Sequence, residues 1–82
     1  MSKIAIGAQL RAARNGLGWS IHELAEYSGI SVRTIIRYED CVGVPATRSG
    51  NLDTLISKLE SAGIEFIGTP EDGPGIRIYA KK

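Results

Sequence analysis

Val32, Arg33, Ile36 and Arg37 stand at spacing i, i+1, i+4, i+5, so on a helix they form one continuous strip. A surface that meets only water has no reason to pair two arginines with two β-branched apolar residues. The same four side chains suit the edge of a DNA base pair. A guanidinium can pair bidentately with guanine, and an apolar group can pack on the thymine methyl in the major groove. The flanking residues can position such a strip. Ser31 can cap the helix that carries it, and Ile35 and Tyr38 fall on the opposite, inward face. Upstream, Ser20 followed three residues later by Glu23 has the spacing of a capping box. It opens a helix from about Ile21 to Ser28 whose Ile21, Leu24 and Ala25 share one face, Ala25 being small enough to admit a neighbouring helix. Gly29 stands where the chain must turn sharply between the two, and Ile30 can plug the space between them. Two short helices hinged at a glycine, the second (about Val32 to Asp40) bearing the strip, make a helix-turn-helix candidate.

The remaining segments read as support. Ile6, Leu10, Ala13 and Leu17 predict a first helix over about Ile4 to Asn15, ended by Gly16. Residues 41–50 hold glycines, a proline and small polar residues and read as a loop. Asn51 can cap a fourth helix with an apolar stripe of Leu52, Leu55, Ile56, Leu59 and Ala62, closed by Gly63. The texture then changes to alternation in Ile64–Ile67 and Ile76–Tyr79, separated by a Gly- and Pro-rich turn that includes Gly73 to Gly75. The expected fold class is mainly α: four helices with a C-terminal β-hairpin. Residues 1–63 would form the helical unit, and 64–82 a hairpin that either packs on the helices or pairs with a second copy. An isolated two-stranded hairpin is marginal in water, which favours pairing and hence a homodimer.

Eighty-two residues fit one small domain. Ten basic against nine acidic residues give a net charge of +1, so general attraction to polyanions is excluded as the main force, and any nucleic-acid site must come from local placement. Cys41 is the single cysteine; no intrachain disulfide can form and nothing points to an oxidising compartment. Neither a signal-peptide core nor a membrane-spanning run is present, which leads to the expectation of a cytoplasmic protein that meets no membrane. His22 is the lone histidine and has no second ligand at metal-binding spacing. No nucleophile–base pair or carboxylate pair occurs, so an enzyme is not expected, nor a metal, a cofactor or a small-molecule ligand.

Leu24-Ala25, Gly29, Ile30-Ser31, Ile35 and Glu39 resemble the motif of Cro- and repressor-type helix-turn-helix regulators, also called xenobiotic-response-element-like. Leu10 to Arg14 with Leu17 to Ser20, and the tail Leu59 to Ile67 with Gly73 to Arg77, are similar to a proteobacterial subgroup with a C-terminal hairpin. The resemblance implies base contacts by Ser31, Val32, Arg33, Ile36 and Arg37, and phosphate contacts by Thr34, Arg48 and the start of the second helix at Ile21. It also implies a structural ion pair between Arg14 and Glu39. Two positions depart from the pattern. Ile21 replaces a usual glutamine, leaving only backbone amides to meet a phosphate there, and Asp40 brings a carboxylate to a place where it would repel one. The partner implied is double-stranded DNA, held by a homodimeric, sequence-specific transcription regulator, with repression as the expected action. The alternative is a protein-interaction module, such as an antitoxin or antirepressor-like partner, that uses the same fold.

Overall fold

The computed structural model describes residues 4–46 and 50–79. Among these residues four helices, α1 (Gly7–Gly16), α2 (Ile21–Ser28), α3 (Val32–Glu39) and α4 (Asn51–Ser61), precede an antiparallel hairpin of β1 (Ile64–Thr69) and β2 (Asp72–Ile78). The core draws on every helix: Leu10 and Ala13 from α1, Leu24 from α2, Ile35 and Tyr38 from α3, and Leu52, Leu55, Ile56 and Leu59 from α4. Ile30 fills the gap between α2 and α3, and Ile64 brings β1 onto the same cluster. At roughly 1.5–3 kcal/mol for each large apolar side chain fully buried, this shared cluster is the principal force assembling the elements. Among the described residues, no helix is long and apolar enough to cross a membrane.

Apolar periodicity predicts a first helix beginning near Ile4, but α1 starts three residues later. The reason is the Gln9 side chain, whose Oε1 accepts the Ile6 amide at 2.9 Å while Ile6 stays extended. One free donor at the helix start is thereby satisfied. The other end of the same amide group does more. Gln9 Nε2 donates to the carbonyls of Gly75 at 2.8 Å and Ile67 at 3.2 Å, a residue pair that faces across the hairpin. Gln9 is only 6% exposed, so a single buried amide fixes the start of α1 and fastens both strands to it.

Gly7 opens α1 at the closest approach of two elements. A Cβ there would overlap the Cys41 carbonyl oxygen and lie 2.6 Å from that of Tyr38 and 2.9 Å from that of Glu39. The missing side chain lets the start of α1 lie against the end of α3, where the Gly7 amide also bonds the Gly43 carbonyl at 3.2 Å.

Two local expectations are corrected. Gly50, with φ of 75°, occupies the cap position of α4 and makes no side-chain bond, so Asn51 is the first helical residue rather than the cap. The segment Gly73 to Gly75 is strand, not turn. Ile67 pairs with Gly75 and Thr69 with Asp72, so Gly73 and Pro74 together oppose the single Gly68 in a bulge, and the turn shrinks to Pro70 and Glu71. A two-stranded sheet has only edge strands, where a proline that cannot donate is tolerated, particularly at a bulge.

The hairpin lies against the helices on one face. Phe66 and Ile76 are half-buried on the core, and Ile78 reaches Gly16 at the end of α1. Glu65 sits on the other face, bonded by the Tyr79 hydroxyl at 2.6 Å and 3.6 Å from the Arg77 guanidinium.

Two substitutions test these locks by urea unfolding. Gln9→Glu keeps the shape but removes the two donated bonds and sets a carboxylate against two carbonyls; it should cost about 1–3 kcal/mol, the range for leaving buried polar groups unsatisfied. Gly7→Ala should cost about 1–3 kcal/mol or more by overpacking. A change below about 0.5 kcal/mol in either, the usual range of a neutral surface substitution, would contradict the assignment.

Candidate nucleic-acid interface

The candidate interface is built on α3, and its placement begins with local capping. Ser20 Oγ accepts the Glu23 amide at 3.0 Å while the Ser20 amide donates to Glu23 Oε1 at 2.8 Å, a complete capping box at the start of α2. Gly29, at φ of 75°, closes that helix by donating to the Ala25 carbonyl at 2.9 Å, a left-handed conformation that favours glycine. Two residues later Ser31 caps α3, its Oγ accepting the Thr34 amide at 3.2 Å. Four local bonds therefore set the start of α2 and the bend into α3 before any long-range contact is considered.

The helix α3 buries Ile35, Tyr38 and Glu39 and exposes the strip opposite. Arg33 and Arg37 are exposed, Ile36 keeps 42% of its surface in solvent, and Val32 is half-buried at the first turn. Arg37 lies over the Tyr38 ring with 5.4 Å to its centroid, a contact that restrains the side chain. Among the described residues neither Arg33 nor Arg37 forms an ion pair, so both heads are available to an anionic or hydrogen-bonding partner. Ser31 Oγ also donates to Thr34 Oγ1 at 3.0 Å. The Thr34 hydroxyl therefore keeps its own proton, which a phosphate oxygen could accept.

Ile21, the first residue of α2, is half-buried and packs against the core. Only its backbone amide remains for a phosphate, and the Glu23 carboxylate already occupies that helix start. Arg48 falls outside the described residues. His22 is exposed. Trp19 packs partly on the core and meets Tyr27 edge-on, with ring centroids 4.7 Å apart and planes at 63°; this geometry supports the turn between α1 and α2. No group of three or more potential metal ligands occurs among the described residues.

Behind the strip stands an ion pair. Arg14 Nε donates to Glu39 Oε2 at 2.7 Å and Arg14 Nη2 to Glu39 Oε1 at 3.0 Å, while Nη1 donates to the Trp19 carbonyl at 2.9 Å. The two side chains are 12% and 3% exposed. The hydrogen bond to Glu39 outweighs the opposing effect of burial and raises the Arg14 guanidinium above its ordinary value. This fork ties α1 to the end of α3 and to the α1–α2 turn together. A second pair lies outside it: Arg11 Nη2 bonds Asp40 Oδ1 at 2.9 Å, and Arg11 Nε is 3.9 Å from Glu39 Oε1. Sequence reasoning missed both Gln9 and the Arg11–Asp40 pair, because nothing local to either side chain names a partner so far along the chain.

Residues 10–39 match a helix-turn-helix family model. The matched segment runs from α1 to the last residue of α3, so it contains the bend, the exposed strip and the Arg14–Glu39 fork. The match supports a helix-turn-helix regulator of the DNA-binding kind. No curated protein matches the chain.

The fork should behave as a buried pair. Arg14→Ala strands the Glu39 carboxylate and should cost about 3–5 kcal/mol. Arg14→Met combined with Glu39→Leu should recover most of that loss in denaturant melts, because no uncompensated charge remains. A double variant as unstable as Arg14→Ala would show that the fork contributes attraction in its own right.

Proposed function

We propose that this protein is a sequence-specific, DNA-binding transcription regulator that places α3 in the major groove as a homodimer. The observation that carries the reading is the exposed strip of Arg33, Ile36 and Arg37 on the second helix of a helix-turn-helix whose opposite face is locked into the core. In this reading Ser31, Val32, Arg33, Ile36 and Arg37 meet base edges, Arg33 or Arg37 pairing with guanine and Val32 or Ile36 meeting thymine methyls. The Thr34 hydroxyl and the α2 amide at Ile21 approach phosphates, as does Arg48. Repression, by occupying the bound site, is the action proposed.

Two features support a homodimer through the hairpin. Among the described residues each strand of the two-stranded sheet has one open edge, and Ile78 and Tyr79, near the end of β2, expose 53% and 56% of their surfaces. Open edges and apolar surface together favour pairing with a second copy. A two-fold dimer would present two copies of α3 to half-sites about one helical turn apart.

Selection of bound sites from random duplex DNA, with sedimentation to give the oligomeric state, tests the reading. Arg37→Ala should lower the preference for the selected site over random DNA by about 1–3 kcal/mol, measured by competition binding. Equal weakening on both DNAs would reduce Arg37 to a phosphate contact. Wild-type affinity should fall steeply with salt; a flat or absent dependence would instead favour a protein partner bound through the hairpin or α4.

A further inference from the structure

We propose that Arg11 is a masked phosphate contact, held out of use by Asp40 at one end of the α3 strip. The inference rests on the DNA-binding reading above and concerns how strongly the same surface attracts DNA of any sequence.

Three observations place the pair. Asp40 follows α3 in right-handed helical geometry, with φ of −82° and ψ of −8°. At 3.6 residues per turn its side chain therefore lies roughly 20° around the axis from Arg33 and about 60° from Arg37. It stands on the face of Arg33, Ile36 and Arg37, not on the face of Ile35 and Tyr38. Second, its carboxylate is bonded by Arg11 Nη2 at 2.9 Å, so α1 delivers a cation to the edge of the α3 strip. Third, Glu39 is already engaged by the Arg14 fork, and Arg11 Nε stays 3.9 Å from it. The charges facing one another here are Arg11, Arg14, Glu39 and Asp40, two of each sign.

The consequence is electrostatic. A cluster with no net charge adds nothing to long-range attraction for a phosphate backbone, so two cations of α1 are cancelled where α1 meets the strip. Among the described residues, attraction near the strip is then left to Arg33 and Arg37, which also face base edges. A phosphate contact carries no sequence information, so masking Arg11 limits how tightly the surface holds any duplex without changing its preference among sequences. The Arg11–Asp40 pair is itself weak. Its side chains are 52% and 65% exposed, and exposed pairs contribute about 0–1 kcal/mol, so either member can be replaced without threatening the fold.

The test is a salt titration of binding to random-sequence and selected duplexes by the full chain. Asp40→Asn should release Arg11, steepen the slope of log affinity against log salt by about 0.9, and tighten random-duplex binding by up to about eightfold at 0.1 M salt, the gain expected from one added phosphate contact. The selected duplex should gain by the same factor, so preference between the two should stay unchanged. Arg11→Ala should leave Asp40 uncovered and weaken binding to both duplexes. The Arg11→Ala, Asp40→Asn double variant should return to the wild-type slope, because it too leaves the cluster neutral. Thermal melts of each variant report folding separately. An unchanged slope in Asp40→Asn, or a gain that survives loss of Arg11, overturns the masking while leaving the DNA reading intact. Absence of salt-dependent binding in the wild type and in Asp40→Asn alike overturns the DNA reading, and the masking falls with it.

Discussion

The fork between Arg14 and Glu39 is the constraint on which the exposed surface depends. Three donors of one guanidinium serve two elements at once: Nε and Nη2 hold the carboxylate at the end of α3, and Nη1 holds the Trp19 carbonyl in the turn before α2. A planar fork matched to a carboxylate fixes direction as well as distance. The rotation of α3 about its own axis is therefore set from behind, and the strip on its outer face inherits that setting. Hydrophobic burial of Ile35 and Tyr38 favours the same rotation but is not directional. Specificity of orientation comes from the ion pair, and most of the assembly energy comes from the core.

Gln9 plays the corresponding part at the other end of α1. Its amide satisfies the first turn of the helix on one side and two strand carbonyls on the other. The hairpin, too small to be stable alone, is thus held by a polar clasp as well as by Ile64, Phe66 and Ile76. α1 emerges as the organising element. Its Gln9 holds the hairpin, its Arg14 holds α3, its Arg11 holds Asp40, and its Gly7 permits the close approach that brings α1 and α3 together.

Much of this was legible in the chain. The limits of α2 and α3 followed from the capping residues Ser20, Glu23, Gly29 and Ser31, because a cap is a contact between residues a few positions apart. The apolar stripe of α4 and the alternation in β1 were legible for the same reason. The misjudged boundaries share a different cause. The start of α1 is set by a side chain that answers to the hairpin as well as to the helix, and the extent of β2 by a bulge that lets Gly73 and Pro74 face a single glycine. The cap of α4 falls on Gly50, whose left-handed φ of 75° a glycine adopts without strain, so Asn51 lies inside the helix.

The sequence by itself determined the periodicities, the caps and the hinge, and with them the identity of the strip residues Val32, Arg33, Ile36 and Arg37. These are local or helically periodic relations, and the chain states them directly. The family resemblance already implied the Arg14–Glu39 pair, but only the tertiary structure decided that Arg11 and Asp40 pair with one another. Asp40 looked like an exposed repulsive charge next to a candidate phosphate site; in the folded protein it is covered by Arg11, 29 positions away. Charge pairing across such a separation depends on how two helices cross, and the crossing is fixed by a core and a fork that no short window of sequence contains.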